Sequence, residues 1–130
     1  MARKHAASYR DLEVYQLADT VARALFELSR EFPREELYSL RAQMLECSRS
    51  VGAQIAEAWG KRLYRRHFIL KLSDADAEQQ ETQHWIRTAA ACGYLRPDVE
   101  AELLDKLARV GRMLHSMMKK AHRFCDHPDL

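Results

Sequence analysis

Apolar residues recur every three or four positions through four long segments of this chain. The clearest segment runs from Leu37 to Gly60, where one apolar stripe continues without interruption. This spacing places side chains on one face of an α-helix, which has about 3.6 residues per turn. The stripe consists of Leu37, Leu40, Met44, Cys47, Val51, Ile55 and Ala58. The pattern predicts a helix that buries one face.

Turn and cap residues set the limits of the four predicted helices. Ser8 and Asp11 have the spacing of a capping box, and Pro33 is expected to end the first helix. Gly60 and Gly93 are natural stops for the second and third helices. The predicted helices span about residues 9–31, 36–59, 64–92 and 97–124.

Four helices of similar length with short connections are typical of one architecture. We expect an all-α, up-down-up-down antiparallel four-helix bundle, with residues 1–130 as a single domain. The composition agrees, since 47% of residues are hydrophobic, 31% are charged, and there are only 4 glycines and 3 prolines. The third helix should carry two polar residues, Gln79 and Thr82, on its inner face.

The first and fourth helices each carry a second apolar stripe beside the main one. Apolar surface left over after a bundle closes usually marks an oligomer interface, so the stripes predict a homo-oligomer. A thicker core in a monomer is the alternative. The stripes are Tyr15, Ala18, Ala22 and Leu25 beside Val14, Leu17, Val21 and Leu28, and in the fourth helix Leu104, Ala108, Gly111, His115 and Met118.

Cysteine usage and hydropathy indicate where the protein works. Cys47, Cys92 and Cys125 are far apart and form no Cys-x-x-Cys motif, which fits a reducing compartment. The basic start of the chain is not followed by an apolar run, and no segment approaches the roughly 18 apolar residues of a membrane span. We therefore expect a soluble cytoplasmic protein without a membrane partner.

Four pieces of the sequence, in order, carry a family resemblance. They are Asp11 to Ala18, Phe32 to Gln43, Ser50 to Glu57, and Cys92 to Leu95. Together they resemble the four-helix-bundle proteins encoded by intervening sequences of bacterial 23S ribosomal RNA genes. The resemblance implies a cytosolic antiparallel bundle that assembles as a pentamer. The family includes the accessory variability determinant of diversity-generating retroelements, a basic pentameric ring, so the resemblance also suggests nucleic-acid binding.

The family motif is kept only in part. Ser50, Ile55, Ala56 and Glu57 match it, whereas Gly52 replaces a proline, Gln54 an asparagine and Ala58 a glycine. Glycine permits a bend or a close approach at this point, but proline would impose a kink. Without a partner acid or base, Glu57 is expected to bond to a neighbouring helix or subunit rather than to act in catalysis. The motif residues Ser50, Gln54, Ile55 and Glu57 are thus interpreted as structural.

Two groups of residues have spacings found in metal sites, and neither predicts a metal. Glu81 and His84 form a single Glu-x-x-His, whereas di-iron bundles use two such motifs and two further glutamates. Both residues should point away from the inner face of their helix. Near the C-terminus, His122, Cys125 and His127 lack a fourth ligand. We expect no metal, no cofactor and no catalytic residue.

The distribution of charged residues is the strongest indication of function, although the net charge is only +2. The antiparallel topology sorts the charged residues to opposite ends of the bundle, and a ring of parallel subunits would multiply each end. The basic end gathers Arg3, Lys4, Arg10, Lys61, Arg62, Arg65, Arg66, Lys71, Lys119, Lys120 and Arg123. The acidic end gathers Glu31, Glu35, Glu36, Asp98, Glu100, Glu102 and Asp105.

A basic rim of this kind attracts a phosphate backbone, so RNA or DNA is the first candidate partner. The predicted contact residues are Lys61, Arg62, Arg65, Arg66, Lys71, Lys119, Lys120 and Arg123. Tyr64, His67 and Phe68 lie among them and could stack on bases, although Phe68 is better explained as core. The alternative is that these charges only solvate the surface and favour the helix dipole. The second functional candidate is a scaffold that holds a partner enzyme without binding nucleic acid.

Overall fold

Four α-helices form an antiparallel bundle in a computed structural model that describes residues 6–127 and 129. They are α1 Glu13–Leu28, α2 Leu40–Gly60, α3 Arg65–Ala91 and α4 Pro97–Lys119. Each helix packs on the next one along the chain, and α1 also packs on α4, which closes the bundle. The all-α, four-helix prediction is confirmed. Arg3 and Lys4, which were assigned to the basic end, lie outside the described residues.

The first helix begins later than predicted. Ser8 Oγ accepts a hydrogen bond from the backbone N–H of Arg10, and Asp11 accepts one from that of Ser8, so the capping box is present. It caps a 3-10 turn, Tyr9–Asp11, rather than α1. Leu12 has an extended ψ of 127°, and its side chain packs against the core, so the chain cannot continue as a helix there.

Short 3-10 turns also replace the predicted ends of other helices. The chain breaks at Pro33 as predicted, with turns Ser29–Glu31 before it and Arg34–Glu36 after it. The second helix therefore starts at Leu40 rather than near residue 36. The fourth helix ends at Lys119, and the turn Ala121–Arg123 takes the place of its predicted last residues.

Glycine ends the third helix as the sequence predicts. Gly93 has φ of 81°, a left-handed conformation that residues with a Cβ rarely adopt. Because the backbone turns back at Gly93, the N–H of Tyr94 can donate to the carbonyl of Ala89 at 2.9 Å. This bond satisfies one of the carbonyls left unpaired at the helix end. The connection to α4 is thus fixed by backbone geometry.

The core runs the length of the bundle as two adjoining clusters, and burial of these side chains provides most of the driving force for folding. The cluster nearer the basic end includes Val51, Ile55, Phe68, Leu72, Val110 and Leu114. The cluster nearer the acidic end includes Val21, Leu25, Met44, Ile86, Leu103 and Leu107.

The two polar residues predicted on the inner face of α3 are buried there. Thr82 is fully buried, and its hydroxyl lies 3.2 Å from Sγ of Cys47 on α2. Gln79 donates to Asp76 Oδ1 at 2.9 Å and accepts from Gln83 Nε2 at 2.7 Å. Their hydrogen bonds compensate for loss of water, so the polar pair is compatible with a core position.

The second stripes of α1 and α4 match the thicker core better than an exposed interface. Leu17, Leu28, Leu104 and Met118 are partly buried and pack against the two core clusters. The exposed large apolar side chains lie elsewhere, at Leu37, Tyr38, Leu63, Tyr64 and Leu70. The homo-oligomer stays a prediction.

Candidate nucleic-acid interface

Residues 124–127, which follow α4, contact the turn between α2 and α3. The backbone N–H of Asp126 donates to the carbonyl of Arg62 at 2.9 Å. Phe124 stacks on Phe68 with their ring centroids 5.6 Å apart, and the ring of Tyr64 stacks similarly on a tail histidine. These contacts hold the cations of the α4 end beside those of the α2–α3 turn. The topology therefore places the cations that follow α4 next to those of the α2–α3 turn.

Most of the cations at this end have no acidic partner among residues 6–127 and 129. Lys61, Arg65, Arg66, Lys119 and Arg123 are exposed, and no described ion pair involves them. Unpaired exposed cations make a positive potential that falls off within a Debye length of about 8 Å in physiological salt. The surface can therefore attract a polyanion.

Arg62 is held in place by a neighbouring tryptophan. Its Nε donates to the backbone carbonyl of Trp59 at 2.8 Å, and its guanidinium carbon lies 3.7 Å from the centroid of the Trp59 ring. A guanidinium over an indole face gains a cation–π interaction and loses little of its ability to bind anions. Trp59 lies one helical turn before Arg62, and it was not among the predicted interface residues.

An open cleft of about 1100 Å³ lies between the start of α1, the end of α2 and the end of α4. Three of the predicted cations line it: Arg62, Lys120 and Arg123. Its apolar lining includes Leu12, Trp59, Met113, Met117 and Phe124. The sequence did not predict this cleft, because its walls come from segments that are distant along the chain.

Two carboxylates also line the cleft on the α1 side, and both have partners. Asp11 accepts hydrogen bonds from the backbone N–H groups of Ala7 and Ser8, at 2.8 and 3.1 Å. Glu13 lies 3.2 Å from Arg109 Nη2 on α4. The cleft therefore has cations beside the ends of α2 and α4 and an acidic wall beside the start of α1, where Arg109 offsets the charge of Glu13.

Lys71 does not join the other cations of the basic end. Its Nζ lies 3.6 Å from the carboxylate of Glu57 and 3.4 Å from Oε1 of Gln54. Asp74 is a further acidic neighbour at 3.9 Å. Glu57 of α2 therefore forms an ion pair with a neighbouring helix, through Lys71 of α3.

The remaining motif residues act in packing. Ile55 is fully buried and Ser50 is half-buried, whereas α2 continues unbroken past Gly52. A Cβ on Gly52 would lie 3.4 Å from the Tyr15 ring of α1, an ordinary contact, so this glycine produces no kink and α1 packs beside it. The structural interpretation of the motif fits these contacts.

The two candidate metal groups take part in other contacts or lie on the surface. Glu81 accepts a hydrogen bond from the indole of Trp85 at 3.0 Å, and Glu81 and His84 both face outward as predicted. His127 at the tail stacks on Tyr64. Within the part of the chain that the structure describes, no three His, Cys, Asp or Glu side chains form a group able to hold a metal.

The opposite end of the bundle is acidic and has its own polar contact. Glu36 accepts hydrogen bonds from Ser39 Oγ at 2.7 Å and from the Tyr94 hydroxyl at 3.0 Å. These two bonds, with that of Ser39 the larger cause, hold the pKa of Glu36 below its usual value. The bundle is thus polarised along its length.

None of its described helices combines the length and apolarity required to cross a bilayer.

Comparison with known proteins bears on both fold and family. The family model for the 23S rRNA-intervening sequence protein matches residues 10–116. The chain belongs to this family. The 23S rRNA-intervening sequence family resemblance found in the sequence is thereby confirmed. Comparison of this family member with curated proteins finds no match.

A solved structure has the same fold as this family member. It is the crystal structure of a protein of unknown function from the S23 ribosomal protein family of Bacteroides thetaiotaomicron. The TM-score is 0.73 at 22% sequence identity, and the match covers 82% of this chain and 95% of that chain. The likeness therefore supports the bundle architecture alone.

Proposed function

We propose that this family member is a non-enzymatic cytoplasmic protein that forms a homo-oligomer, a pentamer, and binds RNA or DNA through its basic end. The observation that carries the proposal is the set of cations without a described ion pair around the α2–α3 turn and the α4 end. Contacts from lysine and arginine to phosphates supply most of the affinity of nonspecific nucleic-acid binding. Three distant cysteines support a reducing compartment.

Oligomer formation would strengthen this interaction. Leu63 in the α2–α3 turn and Leu70 on α3 are 50% and 58% exposed. Covering such side chains with a neighbouring copy removes apolar surface from water. In a ring of parallel subunits, the basic ends of all copies would lie on one rim. Light scattering on a size-exclusion column tests this step, and a monomer at micromolar concentration would contradict it.

The test of nucleic-acid binding is a filter-binding titration with structured RNA and with duplex DNA at several salt concentrations. The variant is Arg62→Glu/Arg65→Glu/Arg66→Glu. We expect binding by the native protein that weakens as salt rises, and a loss of at least about a hundredfold in the variant, since three phosphate contacts become repulsive.

The matched control reverses the same number of charges away from the basic end, in Arg34→Glu/Arg87→Glu/Arg112→Glu. All three control residues are exposed. We expect the control to bind much more tightly than the basic-end variant at equal net charge. No binding by the native protein at low salt, or equal losses in the two variants, would refute the proposal.

The second candidate function is a scaffold for a partner enzyme, which exposed side chains at the acidic end favour. Tyr38 is 90% exposed and Leu37 is 41% exposed, although both are large. An exposed tyrosine is a common contact residue in protein interfaces. Pull-down from a nuclease-treated lysate tests the scaffold: a partner retained by the native protein and lost in Tyr38→Lys supports it. A partner that is lost after nuclease treatment supports nucleic-acid binding instead.

A further inference from the structure

The cleft at the basic end combines features that suit one form of nucleic acid. Three cations line it just after the ends of α2 and α4, at Arg62, Lys120 and Arg123, and much of the remaining lining is apolar. A flat cationic surface attracts any phosphate backbone, but an apolar lining adds affinity only for a group that leaves its own stack and enters. Nucleobases of a single strand can do so, whereas those of a duplex are paired and stacked.

Trp59 and Arg62 provide a stacking platform that is already assembled. The guanidinium lies 3.7 Å from the indole centroid, and its Nε bond to the Trp59 carbonyl restricts its rotation. Because this side chain is ordered before binding, it loses less conformational entropy when a ligand arrives. Arginine planes and aromatic rings are both surfaces on which unpaired bases stack.

The acidic wall limits where a phosphate can lie. Asp11 stands beside the start of α1 and would repel it, whereas Arg109 offsets the charge of Glu13, so a backbone in the cleft is favoured on the side of Lys120 and Arg123. The volume of about 1100 Å³ exceeds what a single base fills and is open to solvent, so a strand can enter and leave. The charge layout thus orients a strand as well as attracting it.

We propose that this cleft binds a single-stranded segment of nucleic acid, with an unstacked base against the Trp59–Arg62 platform and its phosphates on Lys120 and Arg123. The inference rests on the proposed function, because it names the form of nucleic acid that the basic end selects. The cleft would select single strands over duplexes, and the exposed cations outside the cleft would attract any nucleic acid.

Fluorescence reports on the cleft directly, because the chain has only two tryptophans. Trp85→Phe leaves Trp59 as the only tryptophan, and circular dichroism checks that the variant folds. The probes are an oligouridylate, a duplex RNA of the same length, and uridine monophosphate. We expect the oligouridylate to quench Trp59 with saturation and to bind about tenfold more tightly than the duplex, within the range that stacking of one base provides.

Matched charge variants separate the cleft from the rim. Lys120→Gln/Arg123→Gln removes two cleft cations, and Arg65→Gln/Lys119→Gln removes two exposed cations that do not line the cleft. We expect the cleft pair to weaken oligouridylate binding about tenfold and the rim pair by less than about threefold. Duplex binding should fall by similar factors in both pairs.

Each contrary result has its own meaning. Equal affinity for strand and duplex without quenching of Trp59, or equal effects of the two variant pairs on the strand, would overturn the cleft proposal and leave nucleic-acid binding intact. Monophosphate binding as tight as that of the oligomer would also overturn it, because a small-anion site needs no strand. If neither nucleic acid binds at low salt, both proposals are wrong.

Discussion

Lys71 on α3 lies 3.6 Å from the carboxylate of Glu57 on α2, so a residue of the predicted basic end contacts a residue of the family motif. Lys71 was assigned to the basic rim, and Glu57 to the family motif. The lysine is largely buried along its stem, with 25% of its side chain exposed, and Gln54 is also in contact. Its charge is therefore balanced within the bundle and should contribute little to binding a polyanion.

We expect Lys71→Gln to change nucleic-acid affinity much less than Arg66→Gln, although each variant removes one positive charge. Arg66 is exposed and has no ion pair in the described part of the chain. Filter binding at low salt compares the two variants. An equal loss of affinity would show that Lys71 leaves Glu57 to contact the ligand.

The stability contribution of the Lys71–Glu57 pair should be small. Glu57 is 53% exposed, so solvent screens the pair, and partly exposed ion pairs contribute about 0–1 kcal/mol. A double-mutant cycle with Lys71→Gln and Glu57→Gln, followed by urea unfolding, measures the coupling energy. A value well above that range would mean that Gln54 and Asp74 act with them as a network.

Gly52→Ala should stabilise the protein by about 0.5–1 kcal/mol. The site is inside α2, where alanine is a better helix former than glycine. The added Cβ would lie 3.4 Å from the Tyr15 ring, an ordinary van der Waals contact. Urea unfolding measures the change, and destabilisation would mean that α1 and α2 cannot accept even this contact.

Gly111→Ala should have the opposite effect, at a cost of about 1–2 kcal/mol, although it also lies inside a helix. Its Cβ would stand 2.8 Å from Nε2 of Gln79, which is buried and held by hydrogen bonds to Asp76 and Gln83. In a Gln79→Ala background the same substitution should cost less, because the clash is gone. Equal costs in both backgrounds would contradict this explanation.

Cys47 and Cys92 should differ sharply in reactivity. Burial, as the largest cause, raises the pKa of Cys47 to about 11, while Cys92 is exposed. Since the thiolate is the reactive form, iodoacetamide at mildly alkaline pH should label Cys92 quickly and Cys47 only after unfolding. Peptide mass spectrometry reads out each site. Fast labelling of Cys47 in the folded protein would show that the core opens near Thr82.

The Tyr94–Glu36 hydrogen bond should make stability depend on pH. The folded pKa of Glu36 is lowered, so the carboxylate form stabilises the fold above the unfolded pKa, and this stability is lost as pH falls through the folded pKa. Tyr94→Phe should therefore destabilise the protein at neutral pH and have little effect in acid. Unfolding curves across that range measure the difference, and Ser39→Ala should behave similarly.

Local patterns predicted most of the fold. The spacing of apolar residues identified all four helices, the inner face of α3 and the antiparallel order, because these depend on helical periodicity and short connections. The predicted ends of the helices were less accurate. The capping box at Ser8 is present, but Leu12 packs against the core and α1 begins only at Glu13. Tertiary packing overrides a local cap when an apolar side chain can be buried.

The sequence by itself determined the bundle, its charged ends and the family, since each is written in residue types and their spacing. Only the tertiary structure decided which cations can contact a nucleic acid. It paired Lys71 with Glu57, and it held Arg62 over the ring of Trp59. It also formed the cleft from the start of α1 and the ends of α2 and α4. Pairing and concavity depend on distances between segments far apart in the chain, and periodicity carries no information about those distances.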